Sequence, residues 1–312
     1  MPRRLLYLLV LLALAAALLF MRLPIPPTFA GRTIENAGHM PLFFLITMGF
    51  LLVLRDYSLF KSGPVESGRF AGGWLYLVAA LVGMGGGFLT EVMQKPMHRD
   101  ASWDDVFADA VGALCAVSLY VLFDRRTTLQ RWHRLLAAVV AVTCIAIYLS
   151  PIVSMGRAYL HRNSQFPVLA DFHSRLELYW AVGIGARRDI VDDHLVVEYV
   201  SDDFPGLSFH EPVADWRAYQ TLVIDVGNPG AEPFDLGLRI HDKKHNRRFA
   251  DRFNRHFMLA AGERKALRIG LDEIRRGPRT RLMDMQQISD ITLFRGKPEG
   301  SRQLVVYAMR LE

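Results

Sequence analysis

Cysteine is nearly missing from this chain, which has two in 312 residues, Cys115 and Cys144, both inside apolar stretches. That excludes a disulfide scaffold and a cysteine-based zinc knuckle, since each needs clustered, spaced cysteines. The pair reads as packing residues and is silent on redox compartment. Charge is scarce too, but only in the first half. Residues 1–156 carry 13 Lys+Arg and 9 Asp+Glu, against 24 and 22 in residues 157–312. A single uniform soluble globule is thereby excluded, and an apolar unit followed by a water-soluble one takes its place. Internal repeats and low-complexity tracts are absent. In the second half there is no Ser-His-Asp order, no Cys-His pair and no zinc-ligand spacing. No metal and no cofactor is therefore expected.

The net charge of +6 and the pI of about 9.4 invite a nucleic-acid reading. Much of the excess, however, is Arg placed beside hydrophobic runs, where basic residues set membrane topology. Nucleic acid is not an expected partner.

What is present in the first half is a series of apolar runs. A span needs about 20 largely apolar residues. Five candidates qualify: Leu5–Met21, Met40–Leu54, Phe70–Thr90, Val106–Phe123 and Leu135–Gly156. The first also fits a cleavable signal peptide, with small residues near Thr28–Ala30 as its cleavage region. With the N-terminus inside, nine basic residues (Arg3, Arg4, Arg55, Lys61, Arg69, Arg125, Arg126, Arg131 and Arg134) fall in inner loops. The outer loops hold four: Arg22, Arg32, Lys95 and Arg99. This asymmetry predicts a multi-pass protein of a bacterial inner membrane, its N-terminus cytoplasmic and everything after about Met155 outside. Gly83 and Gly87, four apart, predict close helix packing.

From Leu176 onward the pattern changes to short β-type runs: Leu195–Val200, Thr221–Val226, Leu236–Ile240, Ala266–Ile269, Ile291–Phe294 and Gln303–Met309. Turn signals such as Asn228-Pro229-Gly230 and Ala261-Gly262 separate them, and Leu271–Arg276 reads as one helical turn. The fold class is a five-span α-helical membrane bundle followed by an all-β, jelly-roll-like sandwich. The predicted layout has four spans in residues 1–125, a fifth in 126–156, a linker at 157–167 and an extracytoplasmic sandwich at 168–312.

The stretch that joins the third and fourth runs is the most informative. Glu91 and Gln94 are three apart on one helix face, and Asp105, Asp109 and Gly112 share a face of the next. Pro96 marks a turn between them, so the two polar faces meet near the outer boundary, with Arg99 between them and His39 at the end of the second run. Carboxylates at membrane depth need a partner or a water-filled cavity. The alternative is a set of helix-end charges that only pair and cap. A basic segment, Arg239–His256, includes Lys243, Lys244, Arg247 and Arg248. It reads as a solvated hairpin or as a contact for an anionic polymer or lipid headgroup.

The residues His39, Glu91-x-x-Gln94, Arg99-x-x-Ser102-x-x-Asp105 and Gly112 resemble the VanZ-like family over roughly residues 1–125. Glu35 and Asn36 stand where that family usually has Lys or Arg, and Asp109 stands where it usually has Asn. The resemblance implies membrane location and a shared polar site, and implies no reaction. In the second half, Trp216–Leu222, Leu238–Asp242, Ile288–Phe294 and Leu304–Leu311 resemble carbohydrate-binding and galactose-binding-like jelly-roll modules. That resemblance implies a sandwich that binds glycans, with Tyr179, Trp180, Trp216 and Tyr219 as stacking rings, unless those rings belong to the core.

The expected function is thus a membrane-anchored envelope protein, lodged in the lipid bilayer, whose outer domain binds a glycan or an anionic envelope polymer. The alternative is an envelope enzyme or transporter-like protein acting on a lipid-linked or cell-wall substrate through His39, Glu91, Gln94, Arg99, Asp105 and Asp109. Oligomeric state is not legible from the sequence.

Overall fold

The computed structural model describes residues 28–56, 71–94, 102–124, 129–201, 203, 205–296 and 299–312, with isolated positions before residue 26. The first predicted run, Leu5–Met21, lies almost wholly outside the described residues. The chain divides into two compact units, Met1–Met155 and Gly156–Glu312.

The first unit is helical. Its elements are α1 (Phe29–Ala37), α2 (His39–Asp56), α3 (Ala71–Gln94), α4 (Trp103–Phe123) and the start of α5 (Arg131–Gln165). The segments Phe29–Leu54, Gly73–Met93, Trp103–Phe123 and Arg131–Gln165 are each long and apolar enough to cross a membrane. Two caps fix helix starts. Thr28 Oγ1 accepts the Gly31 N–H at 3.0 Å, and Ser102 Oγ accepts the Asp104 N–H at 3.1 Å. Such side-chain oxygens satisfy amides that the first turn leaves unpaired. Helices α2, α3 and α4 pack together through Leu51, Ala79, Tyr120 and their neighbours. At Gly112 a Cβ would stand 2.3 Å from the Met40 carbonyl oxygen, so α4 meets the α2 backbone where only glycine fits.

The second unit opens on the end of α5. The expected linker at 157–167 is instead helical to Gln165. Arg157, Ala158, Leu160 and Arg162 are good helix formers, and neither Pro151 nor Gly156 stops the helix. Pro167 does, because the residue before a proline is pushed out of the α region.

Eleven strands follow: β1 (Val168–Ala170), β2 (Ala181–Ile184), β3 (Ala186–Val191), β4 (His194–Tyr199), β5 (Gly206–His210), β6 (Thr221–Gly227), β7 (Phe234–Asp242), β8 (Phe253–Leu259), β9 (Arg264–Gly270), β10 (Ile288–Arg295) and β11 (Gln303–Leu311). A short helix, α6 (Leu271–Arg275), precedes β10. Every pairing is antiparallel. One sheet of six strands runs β3-β4-β11-β6-β9, with β1 also on β11; the other runs β2-β5-β10-β7-β8. From β5 onward the chain passes back and forth between the sheets.

One contiguous core lies between the sheets. Leu222, Ile224, Leu238, Ile240, Ile291 and Leu293, the residues whose alternation marks the inner faces, are all fully buried there. At about 25 cal/mol per Å2, each such side chain stabilises by roughly 1.5–3 kcal/mol relative to exposure. The predicted Asn228 turn is held by its own side chain. Its Oδ1 accepts the Gly230 N–H at 3.0 Å and its Nδ2 donates to the Glu232 carbonyl at 2.7 Å.

Candidate functional site

Two groups of side chains hold chemistry, one in each unit. In the helical unit, α2, α3 and α4 bring His39, Glu91 and Asp109 together, so that one ligand-type atom of each lies within 4.8 Å of the others. His39 Nδ1 is 3.1 Å from Asp109 Oδ1, and His39 Nε2 is 4.0 Å from Asp105 Oδ1. Glu91 Oε2 accepts the backbone N–H of Ser102 at 3.2 Å, which ties the end of α3 to the cap of α4. Glu91 is 3% exposed and Asp109 is fully buried. Glu91 Oε1 and Asp109 Oδ2 are both buried without a hydrogen-bond partner among the described residues. Gly87 makes room for this carboxylate, since a Cβ there would stand 2.8 Å from Asp109 Oδ2. At Gly83 a Cβ would stand 2.4 Å from Thr47 Oγ1, so the two predicted glycines do sit at close helix contacts. Gln94 ends α3, but its side chain, like all of Arg99, lies outside the described residues. A cleft of about 420 Å3 among α1, α2, α4 and α5 is lined by Arg32, Met40, Asp105, Phe107 and Tyr148, among others, so Asp105 faces both the cluster and this cleft.

In the β unit, the aromatic candidates take different places. Trp216 is fully buried in the core, with Nε1 donating to the Val213 carbonyl at 2.7 Å. Trp180 is buried as well, under the Arg162 guanidinium at 4.7 Å and edge-on to Tyr159. Neither ring presents a stacking face; both lend large apolar area to packing. Tyr219 is half-buried against the core and edge-on to Phe166, while Tyr179 stays exposed.

Lys243, Lys244, Arg247 and Arg248 are exposed on the β7–β8 connection. Lys244 Nζ pairs with Asp284 at 3.0 Å. The connection is anchored beneath by Arg281. Its Nη1 and Nη2 reach Asp242 Oδ2 and Oδ1 at 2.5 and 2.7 Å, and its Nε reaches Asp251 Oδ1 at 2.6 Å. Hydrogen bonding from Arg281 holds the Asp251 carboxyl down at about 2. Burial pushes Asp242 upward, yet the bidentate Arg281 outweighs it and the group sits below its ordinary value.

The residues that sequence reasoning missed lie on the outer face of the five-stranded sheet. Alternation sends Leu207, Phe209 and Leu238 inward, so Ser208, His210, Arg239, His241, Asp290, Thr292 and Phe294 face the other way. They form a joined row. Thr292 Oγ1 donates to Asp290 Oδ1 at 2.5 Å, and Ser208 Oγ lies 2.8 Å from Thr292 Oγ1. Arg239 Nη2 donates to Thr292 Oγ1 at 2.9 Å, and His210 Nδ1 is 2.6 Å from Asp290 Oδ2. Burial raises the Asp290 carboxyl, but the hydrogen bonds from His210 and Thr292 outweigh it and hold the group ionised. Burial pushes the His241 imidazole below its ordinary value. Arg239 Nε is buried without a hydrogen-bond partner among the described residues.

Beside this row, the half-buried ring of Phe294 occupies the space over Gly237, where a Cβ would meet Cε2 and Cζ at 2.2 Å. The ring stands edge-on to His256 at 5.5 Å, and His256 Nδ1 lies 3.0 Å from Asp235 Oδ1. The only sequence signal for this arrangement was period-2 alternation with polar residues in the outward positions of β5, β7 and β10.

No protein-family model matches the chain, and no curated protein matches it. Solved structures similar to part of it include a family 11 carbohydrate-binding module from Clostridium thermocellum, in complex with a beta-1,3-1,4-mixed-linked tetrasaccharide. That module is 19% identical with a TM-score of 0.38, covering 46% of this chain and 93% of its own. A family 29 carbohydrate-binding module mutant is 12% identical with a TM-score of 0.33, covering 46% and 89%. An exo-beta-agarase is 15% identical with a TM-score of 0.37, covering 46% of this chain and 24% of its own.

Proposed function

We propose that this chain is a membrane-anchored protein of the bacterial cell envelope whose β unit binds a glycan on the outer face of the five-stranded sheet. The observation that carries this reading is the Phe294 ring, set over Gly237 and flanked by a connected row of hydrogen-bonding groups. A sugar presents apolar C–H faces for a ring and hydroxyls that both donate and accept. An ionised Asp290, the Arg239 guanidinium and the imidazoles of His210 and His241 offer complementary partners already fixed by one another. Fixing them before the ligand arrives lowers the ordering cost of binding. The four exposed cations of the β7–β8 connection extend the surface toward an anionic envelope polymer.

The orientation we favour puts the N-terminus in the cytoplasm and the β unit outside, on the nine-to-four asymmetry of basic residues. The helical unit, which resembles the VanZ-like family, then serves as anchor. A second reading, an envelope enzyme or transporter-like protein acting on a lipid-linked substrate, is favoured by the burial of Glu91 and Asp109 beside His39.

The test is affinity electrophoresis and calorimetric titration of the full chain in detergent against soluble β-glucans, peptidoglycan fragments and acidic envelope polymers. Binding that is lost in Asp290→Ala and Arg239→Ala supports the glycan face. No binding to any of these at any ionic strength refutes it and leaves the helical cluster as the functional site.

A further inference from the structure

We propose that His39, Glu91 and Asp109 form a binding site for one first-row divalent metal ion of the zinc class, a property of the helical unit that goes beyond glycan binding by the β unit. The donor set is one imidazole and two carboxylates. Such a mixed N and O set suits zinc or manganese, whereas magnesium and calcium favour oxygen alone. Ligand bonds of about 2.0–2.2 Å place tetrahedral donor atoms roughly 3.4 Å apart. The three donors lie within 4.8 Å of one another, so small side-chain rotations close the site without moving a helix.

Two further observations point to a cation. First, Glu91 Oε1 and Asp109 Oδ2 are buried oxygens that accept no hydrogen bond from the described residues, and both belong to side chains more than nine-tenths buried. An unpaired carboxylate oxygen in an apolar interior is costly, and a metal ion satisfies both at once. Second, the remaining groups are arranged as supports. With His39 Nδ1 facing the carboxylates, its Nε2 lies 4.0 Å from Asp105 Oδ1, beyond hydrogen-bond distance but on the side where a ligating histidine commonly has a supporting carboxylate. Glu91 Oε2 is held by the Ser102 amide at 3.2 Å, which leaves Oε1 for the ion. Three protein ligands leave one tetrahedral position for water or for an oxygen of a bound molecule, as in zinc sites that do chemistry. Asp105 also lines the cleft of about 420 Å3, so that fourth position has a neighbouring space to receive one.

The experiment uses the full chain, purified in detergent with a tag that contains no histidine and stripped with a chelator. Zinc is added, excess is removed by gel filtration, and the bound metal is counted by mass spectrometry. About one zinc per chain is expected. Cobalt loading should give the visible d–d absorption of a low-symmetry N and O site. Glu91→Gln and Asp109→Asn should each weaken zinc binding by more than tenfold. Asp105→Asn, which acts through His39, should weaken it by about tenfold, the usual cost of losing a supporting carboxylate. Zinc well below one per chain in the unsubstituted protein overturns the proposal without reference to any variant. Full retention of zinc in Glu91→Gln and Asp109→Asn, with helix content unchanged by circular dichroism, overturns it too, because the metal would then sit elsewhere.

Discussion

Replacing Arg281 by methionine should be among the most damaging single changes in the β unit. Arg281 is the shared partner of Asp242, which is fully buried, and of Asp251, which is 3% exposed. Three contacts of 2.5 to 2.7 Å disappear together in the variant. The acids keep only backbone donors, Asp284 N–H on Asp242 and Asn246 N–H on Asp251, both at 2.8 Å, with His245 Nδ1 3.6 Å from Asp251. Breaking one partner of a buried pair costs about 3–5 kcal/mol, and because Arg281 itself is one-quarter exposed the lower end applies, about 3 kcal/mol. For a unit of this size that amounts to a fall in Tm of roughly 6–12 °C.

The pH profile separates this cause from simple loss of packing. In the parent chain both carboxyls sit below their ordinary values, Asp251 at about 2. A depressed carboxyl stabilises the fold above its unfolded pKa of about 3.9, and the benefit drains away as pH falls through the folded value. The parent should therefore lose stability between about pH 4 and pH 2. In Arg281→Met the depression is gone, so the Tm gap between the two chains should narrow steadily over that interval. Differential scanning calorimetry of the full chain in detergent at pH 7, 4 and 3 reads both effects. A Tm change under 2 °C at pH 7, or a gap that is the same at pH 7 and pH 3, refutes the argument.

Gly237→Ala should displace the Phe294 ring, whose atoms lie 2.2 Å from the added methyl, and weaken glycan binding about fivefold with little change in Tm, by titration calorimetry. Gly112→Val should drive α4 off the α2 backbone and cost more than the ~1–3 kcal/mol of ordinary overpacking, because the atom it meets is the Met40 carbonyl; intact Tm in detergent would refute this. Neutralising Lys243, Arg247 and Arg248 together should flatten the salt dependence of acidic-polymer binding, while neutral-glycan binding stays unchanged in the same assay. Alkaline phosphatase fused after Arg157 should be active and fused near Arg126 inactive, and the reverse would overturn the orientation.

The elements with a strong period are legible in the sequence itself. The apolar runs after residue 39 fall on α2, α3, α4 and α5, and the β runs around residues 195, 221, 236, 266, 291 and 303 fall on β4, β6, β7, β9, β10 and β11. What escaped was β1, β2, β3, β5 and β8. Val168–Ala170 and Ala181–Ile184 are short, Ala186–Val191 is an edge strand rich in charge, Phe253–Leu259 is an edge strand that mixes Asn254, Arg255 and His256 into its run, and Gly206–His210 places Ser208 among apolar residues. Strands of this kind take their structure from the neighbour they pair with, which a local pattern does not contain. The polar helix faces that carry Glu91, Asp105 and Asp109 were readable because i,i+3 and i,i+4 spacing is a local property, whereas the meeting of His39 with Asp109, 70 residues apart, is tertiary. The outer-face row was not, since Ser208 and Asp290 are 82 residues apart and meet only through the sheet. The sequence left Trp180 and Trp216 open between core and ligand contact for a related reason: ring size marks burial and ligand contact alike, and both rings are buried.

The place of β11 has a consequence for biogenesis. Gln303–Leu311 is flanked by β4 on one side and β6 on the other, with β1 against its end, yet it is synthesised after all ten of the other strands. Until it emerges, β3 and β4 have no connection to β6 and β9, β1 has no partner, and the six-stranded sheet consists of three separate pieces with unpaired edges. Such edges are sites of aberrant pairing, and contacts this distant in sequence close slowly. The β unit therefore cannot mature strand by strand as it leaves the ribosome or a translocation channel. The sheet closes only when β11 pairs between β4 and β6.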